Sequence, residues 1–470
     1  MNPLMHGNPP LTARLEPWME RLLADTVACG ELVERFGSPV NLHDFSALGR
    51  NAQELRTAAA KHSVALQVYL ARKANKTIGA IDAAVRADCG LDVASLNELD
   101  QCLRRGVDPG RIIVTAAVKS AALLRLALEN QVVVSLDNLD EAADLLEMAG
   151  AAGLKPCVAL RLASGNPGLP PTRFGLRAAA WLEFLGGLAE PAGLEVAGIH
   201  FHLNGYSAQG RALILAESVR LVDALTGIGQ SPGFIDMGGG IPMSYLDDAG
   251  QWEHFWEALA GQPVGSEEIT WKSDSLGATG PGPSKDVYPY HQRPVGGQWL
   301  ETILGARPDK AQGSIAEQLA ARNLQLRCEP GRSLLDGCGL SLAKVAFVKE
   351  RSDGVPLAGL HMNRTQCRST SADFLLDPIL IQGAEPRTPR TPFRGFLVGA
   401  YCIEEELILR RRFDFPYGAA PGDLVAFPNT AGYLMHIVES ASHQLPLAAN
   451  ALWDGRNWVP DEIGEHELRP

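Results

Sequence analysis

A lysine at the end of an apolar run is the first residue in this chain that could do chemistry. Tyr69-Leu70-Ala71 leads into Arg72-Lys73-Ala74-Asn75. At the mouth of a barrel, a partly desolvated lysine is a nucleophile able to form a Schiff base. A lone lysine in such a place is usually a solvated surface residue, but three further segments also end strand-like runs. They are Gly198-Ile199-His200-Phe201-His202, Phe234-Ile235-Asp236-Met237-Gly238-Gly239-Gly240 and Cys328-Glu329-Pro330-Gly331-Arg332-Ser333. Three consecutive glycines after a strand let backbone N–H groups approach an anion closely. Gly331 adds a donor and Arg332 a fixed positive charge, both suited to a phosphate. Gly-Gly-Gly alone is usually a plain turn; the order and spacing of the whole set give it weight.

The elements that must position these residues form a rhythm. Eight short apolar runs (Leu66–Ala71, Leu91–Ala94, Arg111–Thr115, Val132–Leu136, Cys157–Leu162, Val196–Leu203, Phe234–Met237 and Leu324–Cys328) are mostly separated by amphipathic stretches such as Ile78–Ala87, Leu96–Arg105, Leu139–Met148 and Arg211–Thr226. The pattern fits a (β/α)8 barrel, and also a doubly wound sheet; periodicity alone does not choose. The last two βα loops of a barrel are its usual phosphate site. The rhythm breaks at about 244–312, a stretch rich in Gly, Pro, Ser and Trp that reads as a long insertion after the seventh strand. Its aromatics (Trp252, Trp256, Trp271, Tyr288, Tyr290, Trp299) argue against a disordered linker. A lid or interface element and a packed surface decoration are both open readings. Beyond Gly331, short strand candidates at Leu342–Lys349, Leu357–His361, Gly395–Val398, Leu407–Leu409 and Leu424–Phe427 suggest an all-β C-terminal domain. Before the barrel, Thr12 to Phe36 reads as helical, Gly37-Ser38-Pro39 breaks it, and Val40–His43 reads as a short strand.

The 470 residues allow two to four domains with sizeable cores. A formal charge of −12 and a pI near 5.5 argue against a nucleic-acid surface or an anionic membrane as partner. Eight scattered cysteines form neither a zinc pattern nor a disulfide framework, so no metal is expected and a reducing cytoplasm is the natural compartment. The N-terminus lacks a signal-peptide core, and no run of apolar residues is long enough to span a membrane.

The combined motifs resemble the diaminopimelate/ornithine decarboxylase family, enzymes of the alanine-racemase-like barrel group that use pyridoxal 5′-phosphate (PLP). The resemblance runs from Phe36-Gly37-Ser38-Pro39 to Gly432-Tyr433. It rests on Lys73-Ala74-Asn75, Asp92-Val93-Ala94-Ser95 with Glu98, Arg173-Phe174-Gly175, His200-Phe201-His202, Gly238-Gly239-Gly240, Glu329-Pro330-Gly331-Arg332 and Pro421-Gly422-Asp423-Leu424. It implies a PLP-binding barrel over 44–335, carrying the insertion, and a β domain built from 1–43 and 336–470. By resemblance Lys73 is the Schiff-base lysine, His202 stacks on the cofactor ring, and Gly238, Gly239, Gly240, Gly331 and Arg332 bind the phosphate. Tyr433 is similar to a tyrosine that reaches the phosphate from the C-terminal domain. Glu329 is implied to pair with the pyridine nitrogen. A carboxylate there keeps the nitrogen protonated and the ring a strong electron sink, which favours decarboxylation over racemisation. Cys402, in Gly399-Ala400-Tyr401-Cys402, is similar to the family's proton-returning cysteine. That cysteine enters the partner subunit's site, so a homodimer with shared sites is implied.

The chain also departs from the family. Ile403 follows Cys402 where an acidic residue is usual, with Glu404, Glu405 and Glu406 after it. Met362-Asn363-Arg364 replaces Met-Asn-Asp, and Arg368 lies nearby. Asn204 and Gly205 replace the phosphate-side serine and glycine after the stacking histidine, and Asn429-Thr430-Ala431-Gly432-Tyr433 replaces Asp-x-Gly-Ala-Tyr. The expected activity is decarboxylation of an amino acid or derivative other than a simple diamino acid, with the proton returned by Cys402 or Lys73. Arg364, Arg368 and Glu404 are the candidate substrate contacts, and no carboxylate is expected beside Arg364. A racemase or epimerase on the same scaffold, or a non-catalytic PLP-binding homologue, is the alternative; the retention of Lys73, Glu329 and Cys402 argues against the latter.

Overall fold

A computed structural model describes residues 3–188, 193–370, 374–383 and 389–465. The chain divides into two compact units. One comprises Leu48–Pro242, Pro294–Leu334 and Glu462–Pro470; the other comprises Met1–Ala47, Met243–Arg293 and Leu335–Asp461.

The first unit is a closed barrel of eight parallel strands: β1 (Leu66–Ala71), β2 (Gly90–Val93), β3 (Ile112–Val114), β4 (Val133–Leu136), β5 (Cys157–Arg161), β6 (Glu195–His200), β7 (Phe234–Asp236) and β8 (Gln325–Cys328). Each apolar run read from the sequence supplies one strand. Pairing of β8 with β1 closes the sheet and excludes the doubly wound alternative. Tyr69, Ile113, Val133, Ala159 and Phe234 form a buried cluster. They come from five different strands, and only the barrel interior lets side chains from so many strands meet. Most βα turns hand over to capped helices. Ser95, Ser120, Asn138 and Ser207 each accept the N–H three residues on, opening helices Leu96–Arg104, Ala121–Glu129, Leu139–Ala152 and Ala208–Gly227. Each such cap stabilises its helix by about 1 kcal/mol.

The second unit is a ten-stranded mixed sheet. Its long central strand, Gly339–Glu350, pairs antiparallel with Val40–His43, Pro356–Leu360 and Leu424–Pro428. The helical expectation over Thr12 to Phe36 is corrected to two helices, Pro17–Ala24 and Thr26–Phe36. Asp25 divides them, because its carboxylate accepts the Ala28 N–H and caps the second helix. Leu407–Leu409 is no strand; a single bridge joins Leu407 to Val398. His6–Gly7, Ile379–Ile381, Phe413–Phe415, Ala449–Trp453 and Trp458–Pro460 are strands that the pattern did not reveal. Most of them are too short for an alternation to register.

The expected insertion does lie between β7 and β8, but it is divided between the two units. Met243–Arg293 clusters with the sheet unit, and only the stretch from Pro294 belongs to the barrel. Within the sheet unit Trp271 packs edge-on against Phe396 at 5.1 Å, and Trp252, Trp256 and Tyr290 are buried against one another or close by. Trp299, by contrast, lies on a barrel-unit helix, Gly296–Gly305. Among the described residues no helix is long and apolar enough to cross a membrane.

Candidate functional site

Lys73 lies in a single 3-10 turn, Arg72–Ala74, directly after β1. Arg72 fastens this turn: it is buried and donates to the carbonyls of Asn75, Lys76 and Thr77 and to Gln101. The Lys73 side chain is 43 % exposed, and its Nζ lies 2.5 Å from Oδ2 of Asp92, which is fully buried at the end of β2. The Lys73 side chain is thus partly withdrawn from solvent. The amine is held in place by an ion pair to a buried carboxylate, while Thr115 donates to the other carboxylate oxygen.

Across the same strand ends, His200, Asp236 and Glu329 converge, each offering a ligand atom within 4.8 Å of the others. Ser135 hydroxyl meets His200 Nδ1 at 2.6 Å, and His200 Nε2 lies 3.7 Å from Glu329 Oε2. Glu329 is buried, and its Oε1 has no hydrogen-bond partner; neither has Oδ2 of Asp236. Burial first, and then the neighbouring Asp236 and Asp92 carboxylates, push the Glu329 carboxyl well above the usual range. Burial likewise raises Asp236, to about 6. Burial, reinforced by Arg161, depresses His200 and takes His202 down to about 4. His202 is therefore a neutral ring at ordinary pH, with Phe174 edge-on against it at 5.1 Å and Arg161 over that phenylalanine.

The glycine turn after β7 is a cradle that side chains would fill. Gly238 (φ +65°) and Gly240 (φ +74°) hold left-handed backbone. A Cβ on Gly238 would lie 2.8 Å from the Phe201 carbonyl, and one on Gly239 2.8 Å from that of Glu329. The Glu329 N–H in turn donates to the Gly238 carbonyl, tying the turns after β7 and β8 together. Gly331 is buried and Arg332 half-buried in the turn after β8.

The barrel unit thus brings together Lys73, His202, Gly238, Gly239, Gly240, Glu329, Gly331 and Arg332. The remaining candidates belong to the sheet unit. Cys402 is exposed, and its backbone N–H points to His443 Nε2 at 3.4 Å, with Tyr401 stacked on that imidazole at 4.9 Å. Tyr433 is half-buried with φ +73°, an uncommon conformation for a bulky residue. Glu404 is exposed. Arg364 is not without a carboxylate, which corrects the sequence expectation. Its backbone N–H donates to Glu406 at 2.8 Å, its Nε lies 3.6 Å from the second Glu406 oxygen, and Nη1 donates to the Glu405 carbonyl. Arg368 is buried and donates to the carbonyls of Leu407 and Ile408.

Sequence reasoning assigned no role to Asp92, Asp236 or Arg161. The signals were present, since each polar residue ends a strand at the same level as Lys73, but charge at a strand end becomes readable only once the barrel closes.

The family described as pyridoxal-dependent decarboxylase, pyridoxal binding domain, matches residues 48–262. An uncharacterized protein of Sinorhizobium fredii is 32 % identical, covering 98 % of both chains. A diaminopimelate decarboxylase of Pseudomonas aeruginosa is 26 % identical over 95 % of this chain and 94 % of its own. Among solved structures, the diaminopimelate decarboxylase of M. jannaschii in co-complex with L-lysine superposes with a TM-score of 0.70 at 17 % identity, covering 94 % of each chain. The chain belongs to the PLP-dependent decarboxylases, which are carboxy-lyases. The site fits their cofactor: a buried carboxylate oxygen with no donor suits a pyridinium N–H, and the glycine cradle suits a phosphate.

Proposed function

We propose that this enzyme removes the α-carboxylate of an amino acid whose distal end is not a simple ammonium. The observation that carries the decarboxylation reading is Glu329, a buried carboxylate with an unpartnered oxygen at the barrel mouth. PLP, when bound, supplies an electron sink for the pair left by departing CO2. Glu329 would pair with the ring nitrogen and keep it protonated. Lys73 is the covalent tether, kept on station by Asp92. His202, neutral and braced by Phe174, covers one face of the ring. Gly238, Gly239, Gly240, Gly331 and Arg332 hold the phosphate. Cys402 is the proton donor, serving the site of a second copy of the chain, so the active unit is a homodimer.

The substrate reading rests on the sheet unit. The curated relatives include diaminopimelate decarboxylases. Here the residue after Cys402 is the half-exposed, apolar Ile403, and the buried Glu406 is already engaged by Arg364. Of the acidic residues that follow Ile403, Glu405 is bridged to Lys272 and Glu406 is engaged by Arg364, which leaves an ammonium the solvent-facing Glu404. Arg364 would pair with a substrate carboxylate on giving up its 3.6 Å contact with Glu406. A CO2-release screen over L- and D-amino acids, including hydroxylated and acidic ones, tests the proposal. Efficient decarboxylation of lysine or ornithine, at kcat/KM of about 10⁴ M⁻¹s⁻¹ or more, would overturn the substrate reading. Turnover without CO2 release would overturn the reaction.

A further inference from the structure

One buried cation in the barrel unit has no anion to match it. Arg211 is the fourth residue of helix Ala208–Gly227 and is completely buried. Its Nη1 donates to the Gly205 carbonyl at 2.9 Å, and its Nη2 to those of Gly239 at 3.0 Å and Leu203 at 3.3 Å. The guanidinium lies 4.9 Å from the centre of the Trp299 ring, and Nε has no hydrogen-bond partner. Among the described residues no carboxylate is within ion-pair distance. Two physical terms oppose a charge in this position. Burial penalises it, and the first turn of a helix is the positive end of the helix dipole. Carbonyl oxygens supply partial negative charge but no net charge.

The carbonyls that Arg211 binds belong to the two loops that follow β6 and β7. By drawing the Leu203, Gly205 and Gly239 oxygens to itself, Arg211 fixes which way the peptide units of both turns face. It also explains a second demand on Gly240, where a Cβ would run into the guanidinium.

We propose that Arg211 is a positioning residue of the phosphate site. It braces both loops from behind, and its charge is matched by the phosphate monoester dianion that their other face receives. This rests on the reading of Gly238–Gly240 as the phosphate cradle. No contact between Arg211 and the phosphate is required, because the guanidinium acts through the loop peptides and through the field.

The test compares PLP with pyridoxal, which lacks the phosphate, as ligands of apoprotein prepared from wild type, Arg211→Met and Arg211→Gln. Binding is followed by absorbance, and the melting temperature of each apoprotein is measured with and without inorganic phosphate. We expect Arg211→Met to weaken PLP by about 10- to 100-fold, in the range of a lost charge-assisted interaction, while pyridoxal changes less than about threefold. Inorganic phosphate should raise the melting temperature of the wild-type apoprotein and not that of the variant. Equal losses for the two ligands, or no effect of phosphate on wild type that binds PLP, would overturn the inference. If Arg211→Met does not fold, the PLP-to-pyridoxal ratio of Arg211→Gln decides in the same way, an unchanged ratio counting against it. Wild type that binds neither aldehyde would overturn the cofactor-site assignment instead.

Discussion

The barrel mouth and the arginine cluster of the sheet unit treat buried charge differently: the first sets carboxyls beside one another, the second sets guanidiniums against a carboxylate and carbonyls. At the mouth, Glu329 and Asp236 are buried side by side, each with an oxygen that nothing satisfies, and their carboxyls are pushed upward. In the sheet unit, Arg364 and Glu406 engage each other through backbone and side chain, and Arg368 is spent on two carbonyls. The second is not complete in itself either: burial raises the Glu406 carboxyl and its Oε2 accepts no hydrogen bond, but the Arg364 guanidinium lies 3.6 Å from that oxygen. On the reading proposed above, the ring nitrogen of the cofactor would supply the donor that the first lacks. Clustered buried carboxyls with raised pKa values make the barrel mouth the candidate for chemistry.

Substitutions that separate chemistry from scaffold test this contrast. The largest effect is expected at Lys73. Lys73→Ala should lose the borohydride-fixed cofactor entirely, as read by intact mass after reduction. A variant that still carries the adduct would move the tether elsewhere. Next, Glu329→Gln should retain PLP yet lower kcat by at least about tenfold, or ~1.4 kcal/mol of transition-state stabilisation, because an amide cannot hold the ring nitrogen protonated. A smaller drop would remove the special standing of the unpartnered carboxylate.

Subunit mixing comes third. Inactive Lys73→Ala and Cys402→Ala chains, exchanged at equal ratio, should recover about a quarter of wild-type activity, since half the dimers are hybrids with one intact site of two. No recovery after demonstrated exchange would place Cys402 and Lys73 on the same chain's site or Cys402 outside the chemistry.

Arg364→Ala should act on stability instead. It leaves the buried Glu406 without its guanidinium, at a cost of about 1–3 kcal/mol in chemical denaturation, while the absorbance of bound cofactor stays the same. A changed cofactor spectrum with unchanged stability would reverse the contrast between the two regions.

The smallest effect concerns His202. Its folded pKa of about 4 lies below the usual 6.5, with burial as the main cause. Below pH 6.5 the unfolded chain takes up a proton that the folded one refuses, so this residue's contribution to stability falls as pH drops from 6.5 toward 4. His202→Asn should flatten the dependence of the thermal midpoint on pH across that window. A slope identical to wild type would mean that the imidazole is not held neutral by burial.

The sequence by itself determined the eight barrel strands, because each is an apolar run buried on both faces, and that pattern survives in one dimension. It also marked Lys73, His202, the glycine turn and the Glu329–Arg332 segment, since every one ends such a run. Barrel closure, the assignment of Met243–Arg293 to the sheet unit, and the short strands such as Phe413–Phe415 were decided only in three dimensions. Strands of two or three residues carry no period, and pairing partners hundreds of positions apart leave no local trace. The same holds for the partners of charge. That Asp92 holds Lys73, that Glu406 engages Arg364, and that Arg211 has no carboxylate within ion-pair distance among the described residues are properties of space: the Coulomb interaction depends on distance and burial, and neither is encoded in the spacing of residues along the chain.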